Sequence, residues 1–233
     1  MIHINKWLFA FLAIITFSFL GAGCHLPPAE LQMPGAYHYT HRSLTNKTTV
    51  WPVYIDRNFT LAERQDILQA LAQWNLVLNG HAQLAAVDTY FDMQEDILKQ
   101  AVEGRAFLIL RVTPDNRIVK TVDQGHNVLG LTPALSMHWI YLVGQRFDSA
   151  SCSDGEGATY SCFNDVEFID VTMHEIGHAL GAEHTHGGLM NSYYDPESGQ
   201  CIDYKAMVQV ADFYSWDKET LNYCYWQTQA AKP

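Results

Sequence analysis

Apolar positions along the chain fall into runs that change period. Residues Val50–Ile55 read VWPVYI, a β-rich run in which Pro52 points to an edge position or an early irregularity. Thr60 is placed to cap a helix, and Glu63, three residues on, to complete a capping box. The helix runs to about Leu78 with Ile67, Leu68, Leu71, Trp74 and Leu78 on one face, and Asn79-Gly80 ends it. Leu84–Phe91 reads as a second strand and Ala106–Val112 (AFLILRV) as a third, apolar enough to be central. Val128–Leu131 reads as a short strand and Trp139–Val143 as another, and a second long helix is predicted from about Asp165 to Leu180. Little periodicity follows. Strand, helix, several strands, helix and a largely irregular C-terminal part predict an α+β fold, a twisted mixed sheet packed on two long helices.

The first 23 residues stand outside that pattern. Met1–Lys6 carries one positive charge, Trp7–Leu20 is almost wholly apolar, and Gly21-Ala22-Gly23 precedes Cys24. This reads as an export signal over residues 1–23. The apolar run is short of the ~20 residues that span a bilayer as a helix. Residues Leu20–Cys24 also resemble a bacterial lipobox, which implies cleavage before Cys24 and lipid on that cysteine. Parity agrees with this: of five cysteines, removing Cys24 leaves four that can pair. His25, rather than Asp, then implies an outer-membrane destination, with ordinary secretion as the alternative. Residues 24–47, with Pro27, Pro28, Pro34 and Gly35, read as a tether, and residues 48–233 as the folded domain.

Composition narrows the classes. Apolar residues make up 48% and charged residues 17%, which excludes a disordered polymer. A net charge of −11 without clustered Lys and Arg argues against nucleic acid as a partner.

The chemistry concentrates in His174–His184, which reads HEIGHALGAEH and contains H-E-x-x-H-x-x-G-x-x-H. Five fixed letters at this spacing arise by chance in roughly one such chain in 10⁴. Positions four apart share a helix face, so His174 and His178 can reach one ion. Glu175 lies about 100° round the helix, near enough to serve a water on that ion without being a ligand. Gly181 tolerates the left-handed conformation that ends a helix, so the chain can turn back and deliver His184 from another side. Three nitrogen ligands suit one zinc ion and leave a position for water, as catalytic zinc requires.

This motif resembles that of the metzincin clan of zinc peptidases, and the matrixins within it. Met190, in Gly187-Gly188-Leu189-Met190, matches the clan's Met-containing turn beneath the metal. Val50–Asn75 resembles the first strand and helix of matrixins, and Gly125–Thr132 (GHNVLGLT) the stretch with their substrate-lining edge strand. The resemblance implies a metzincin-like catalytic domain that hydrolyses peptide bonds. Zinc would polarise the carbonyl and acidify its water, and Glu175 would carry the proton to the leaving nitrogen. A Tyr after the Met stabilises the oxyanion in some metzincins, which makes Tyr194 a candidate; simple packing is the equal alternative. The competing functional reading is a zinc-stabilised envelope binding or adhesion lipoprotein without turnover, against which the intact Glu175 speaks.

Other polar residues have plainer readings. His186 reads as a loop residue, since the spacing selects His184; His126 and His138 read as surface or core histidines, and Glu183 as solvated. Cys152, Cys162, Cys201 and Cys224 suit disulfides in an oxidising compartment. Three connectivities exist, of which the short-range one, Cys152–Cys162 and Cys201–Cys224, is the expectation.

Overall fold

The computed structural model describes residues 36–40, 48–87, 95–123, 128–134, 138–147, 152–153, 159–160, 167–194 and 201–225. All fall within one unit, Gln32–Pro233. Its strands are β1 (Ala36–His38), β2 (Thr49–Ile55), β3 (Ala82–Ala86), β4 (Phe107–Val112), β5 (Gly130–Leu131), β6 (Trp139–Val143), β7 (Cys152–Ser153), β8 (Thr159–Tyr160) and β9 (Tyr223–Tyr225). Its α-helices are α1 (Leu61–Leu78), α2 (Glu95–Val102), α3 (Arg117–Asp123), α4 (Phe168–Ala179) and α5 (Tyr204–Phe213).

The central sheet has the order β3-β2-β4-β6-β5. The first four pair in parallel, and β5 runs antiparallel to β6 with Leu131 opposite Tyr141. The fold is the expected α+β arrangement with a mixed sheet. Pro52, expected at an edge, lies in a strand with neighbours on both sides. Pairing of β2 to β4 begins only at Val53, so Pro52 stands in register with Ala85 of β3 and precedes the β4 ladder.

Alternation along β4 divides the core. Phe107 and Ile109 face α1 and α4, together with Ile140 and Leu142 of β6. Leu108 and Leu110 face the other side with Ala101 and Tyr141. The capping box forms as expected: Thr60 accepts from the Glu63 amide at 3.2 Å, and the Glu63 carboxylate accepts from the Thr60 amide at 2.7 Å. The buried stripe of α1 is Ile67, Ala70, Leu71, Trp74, Val77 and Leu78. Leu68, expected on that face, is 48% exposed, because it lies a full 100° step beyond Ile67. The Trp74 indole donates to the Met173 carbonyl at 2.9 Å, binding α1 to α4 one residue before the motif begins.

The chain ends depart most from the pattern reading. The C-terminal part, expected to be largely irregular, carries α5, capped by the Asp203 side chain on the Ala206 amide at 2.9 Å. Beyond it β9 pairs antiparallel with β1, inside the stretch read as a tether over 24–47. Thr40 reinforces the junction: its amide donates to Asn222 Oδ1 at 2.8 Å, and the Asn79 side chain donates to its hydroxyl at 3.1 Å. Cys201 and Cys224 form the expected disulfide, which joins the start of the α5 segment to β9. The expected Cys152–Cys162 pair, the export signal, Cys24, His126, the second half of the predicted strand Leu84–Phe91 and the predicted helix start at Asp165 lie outside the described residues.

Candidate metal centre

Helix α4 carries His174 and His178 on one face, and the chain then reverses. Gly181 adopts φ +93°, in the left-handed region, as the motif reading required. The ring of Phe213 lies directly over its Cα, where any side chain would collide. The returning chain is pinned by the Thr185 amide, which donates to the Met190 carbonyl at 2.8 Å, and His184 arrives opposite the helix. The Nε2 atoms of His174 and His178 are 3.0 Å apart, and those of His178 and His184 3.1 Å. Among the described residues these three histidines form the one group that could hold a metal ion.

The outer nitrogens explain the convergence. His174 Nδ1 lies 2.7 Å from the Leu189 carbonyl and His178 Nδ1 2.8 Å from the Ala182 carbonyl. A carbonyl only accepts, so both Nδ1 atoms carry the proton and both Nε2 atoms present lone pairs to one another. Burial, then the neighbouring His178, pushes His174 down to about 4, and burial also lowers His178. At neutral pH no proton relieves lone pairs 3 Å apart, so a cation is the species this donor set fits. Tetrahedral zinc, with bonds of ~2.0–2.1 Å, sets its nitrogens ~3.3 Å apart. The observed spacing is a few tenths of an ångström tighter.

Met190 is fully buried beneath this cluster, in a turn where Gly187 and Gly188 take φ of 72° and 75°. Gly177, between the two helical histidines, admits it: a Cβ there would stand 2.6 Å from Met190 Sδ and 3.1 Å from Trp74 Cζ2. Met190 therefore supports the helix that carries two of the clustered histidines, and Gly177 is a supporting position that the motif letters did not single out.

Glu175 is 5% exposed and sits against β5. A Cβ on Gly130 would lie 2.6 Å from its Cγ, so only glycine allows the strand this close. Thr132 Oγ1 is 2.8 Å from Glu175 Oε2. Burial pushes the Glu175 carboxyl up to about 8, while the Thr132 bond draws it down. Beside these groups a cleft of about 440 Å³ opens, lined by Leu131, Thr132, His178, His184 and Phe213. Its upper wall, β5, is the last strand of the sheet. The root of that wall is clamped: Arg146 donates to both oxygens of Asp123 at 3.1 and 2.9 Å, and the Val128 amide donates to Asp123 Oδ1 at 2.7 Å.

Tyr194 is held elsewhere. Its hydroxyl donates to Asp170 Oδ2 at 3.0 Å and accepts from the Glu167 amide at 3.2 Å, both at the opposite end of α4 from His178. Burial pushes it up to about 12, so the proton stays on the oxygen. Of the two roles weighed for Tyr194, packing is the one these contacts support. His186 is exposed and outside the cluster. His138 packs against Phe107 with the rings tilted and their centroids 4.4 Å apart, makes a hydrogen bond with the Ala106 backbone, and is not one of the clustered histidines.

The profile of the Matrixin family matches residues 75–215. The match takes in β3 to α5 and the whole histidine cluster, and leaves out β2 and most of α1. No curated protein matches the chain.

Proposed function

The chain belongs to the matrixin family, and from that premise we propose that it is a zinc-dependent endopeptidase in which His174, His178 and His184 hold one zinc ion and Glu175 is the general base. The observation that carries the proposal is the meeting of three imidazole Nε2 atoms, 3.0–3.1 Å between neighbours, with the buried Glu175 side chain beside them. A bound zinc ion would supply Lewis acidity to a carbonyl and acidify a water. Strand β5 offers its outer edge to an extended peptide, which would lie along the cleft in register with the sheet. Glu175 accepts the proton of the attacking water and returns it to the leaving nitrogen. Its enclosure by β5 removes competing solvent, and a dication nearby would draw its raised pKa back toward neutrality. Substrates are then proteins or peptides.

Glu175→Gln tests the reading. It preserves size and all three histidines, so zinc content and melting temperature should match wild type. Cleavage of a broad protein substrate should fall about 10²–10⁴-fold, the usual worth of general-base help. A Glu175→Gln protein that keeps both zinc and full activity would refute the assignment.

We also propose export, with lipid on Cys24 and attachment to the cell envelope. The support is the basic start, the apolar run Trp7–Leu20, the small residues before Cys24 and the cysteine parity. Mass spectrometry of protein from the native membrane should find a lipidated Cys24 at the mature N-terminus. An intact Met1 or an unmodified Cys24 in the mature chain would exclude it.

A further inference from the structure

We propose that Thr132 is a positioning residue for Glu175, its hydroxyl fixing the carboxylate in the orientation that proton transfer requires. The inference rests on the endopeptidase reading and adds to it a residue outside the zinc motif.

A glutamate has three rotatable side-chain bonds, and a base performs only when its oxygen is aimed at the proton it takes. Three features of β5 and the residue after it remove that freedom. Gly130 lets the strand backbone lie against the Glu175 side chain, where a Cβ would stand 2.6 Å from Cγ and 2.7 Å from Oε1. Thr132 Oγ1 lies 2.8 Å from Oε2, so one carboxylate oxygen is tied and the other is left for the proton. The same hydroxyl lies 3.0 Å from the Glu175 carbonyl. That carbonyl is in the body of α4, where the helix ladder already provides a donor, so the single hydroxyl hydrogen is released to the carboxylate. Threonine suits the task because its branched Cβ restricts χ1 and holds the hydroxyl in place.

The strand that leads into Thr132 is itself held. Leu131 pairs with Tyr141, and the Val143 amide donates to the Leu129 carbonyl at 2.9 Å. Two residues before Gly130, Val128 is fastened at both ends, its amide to Asp123 and its carbonyl to Arg146. Arg146 and Asp123 are a half-enclosed bidentate pair, with side-chain exposures of 10% and 22%. Placement therefore runs from the ion pair through β5 to the hydroxyl and the base.

Valine reproduces the shape of threonine without the hydroxyl, and serine keeps the hydroxyl without the methyl. Five zinc-loaded proteins are compared: wild type, Thr132→Val, Thr132→Ser, Glu175→Gln and the Glu175→Gln/Thr132→Val double variant. Zinc should stay at about one ion per chain in all of them. With a quenched peptide substrate, Thr132→Val should lose roughly ten- to a hundredfold in kcat, the worth of a hydrogen bond to a charged group, with KM little changed. Thr132→Ser should recover most of that loss. In the Glu175→Gln background, Thr132→Val should have no further effect, because the group it orients no longer acts as a base. Crystal structures of the metal-free proteins give a readout independent of turnover: one Glu175 rotamer in wild type and Thr132→Ser, several in Thr132→Val. A Thr132→Val protein with wild-type kcat, or a loss that multiplies in full with Glu175→Gln, overturns the inference and leaves the endopeptidase reading standing. A wild type that holds zinc and cleaves nothing removes both.

Discussion

His184 and His186 stand two residues apart in one loop, yet only the first faces the ring nitrogens of α4. The cause is local. Gly181 reverses the chain, and the Thr185 amide is fixed to the Met190 carbonyl, which holds His184 against the helix. His186 is exposed, and its carbonyl accepts from Lys205 Nζ at 3.2 Å. Replacing His184 by Ala should remove most of the bound zinc, since two imidazoles and water hold the ion far less tightly than three. His186→Ala should keep about one ion per chain. Metal analysis after gel filtration decides between them, and the reverse pattern would mean that the loop after Gly181 does not complete the site. Spacing alone pointed to His184, because the three clustered histidines lie within eleven residues of sequence. The partners of Glu175 are of another kind. Thr132 and Gly130 are more than forty residues away, and nothing in a threonine after a glycine says which carboxylate it will meet. Val128–Leu131 reads as a short strand from its own pattern, and only the resemblance to a matrixin edge strand ties Gly125–Thr132 to the substrate cleft.

At the scale of elements, the pattern is most legible where an element's own periodicity decides its burial. Helix α1 begins at the predicted cap and ends at the left-handed Asn79, and β6 has the bounds its apolar run suggested. Helix α5 was legible too, since Asp203 caps it and Ala206, Met207, Val210 and Ala211 recur on one face. What the pattern does not reveal is how elements meet electrically. Asp66 of α1 is half-buried, and its carboxyl is held above the ordinary range by burial first, then by the charges of Glu167 at the start of α4 and of Glu63. An acid with a raised folded pKa favours the fold below its unfolded value of ~3.9, and that contribution is lost as pH rises through the folded pKa. At neutral pH Asp66 is therefore a destabilising charge at the α1–α4 junction. Asp66→Asn should raise the melting temperature at pH 7 and leave it nearly unchanged at pH 3.5. Parallel thermal scans at the two pH values check this, and equal shifts at both would show that charge is not the cause.

At the scale of the whole molecule, the two ends of the described chain are stitched together on the flank of α1. Three-residue strands such as β1 and β9 carry no period of their own, and their pairing joins residues 36–38 to 223–225. No local pattern could announce it, and a proline-containing stretch read as a tether contributes a strand instead. The junction is more than a ladder. Asn222 donates to the Leu76 carbonyl at 2.7 Å and accepts from Thr40, Asn79 donates to the Thr220 carbonyl at 2.8 Å, and Cys224 is tied to Cys201. Through that disulfide β1 braces the segment that leads into α5, whose last residue, Phe213, walls the cleft. Two deletions starting at residue 24, the proposed mature N-terminus, separate spacer from brace. Removing residues 24–34 leaves β1 intact and should leave the melting temperature and peptidase activity as they were. Removing residues 24–40 deletes the β1 ladder and the Thr40 bonds. A few such hydrogen bonds contribute about 0.5–1.5 kcal/mol each, and in a domain of this size each kcal/mol shifts the melting temperature by roughly 2–4 °C. For about three such bonds, a fall of roughly 3–18 °C is expected for the longer deletion. Zinc content should hold, because no ligand lies in the removed segment. Equal melting temperatures for the two truncations would show that β1 is only a passenger on β9 and that residues 24–47 act as a spacer throughout.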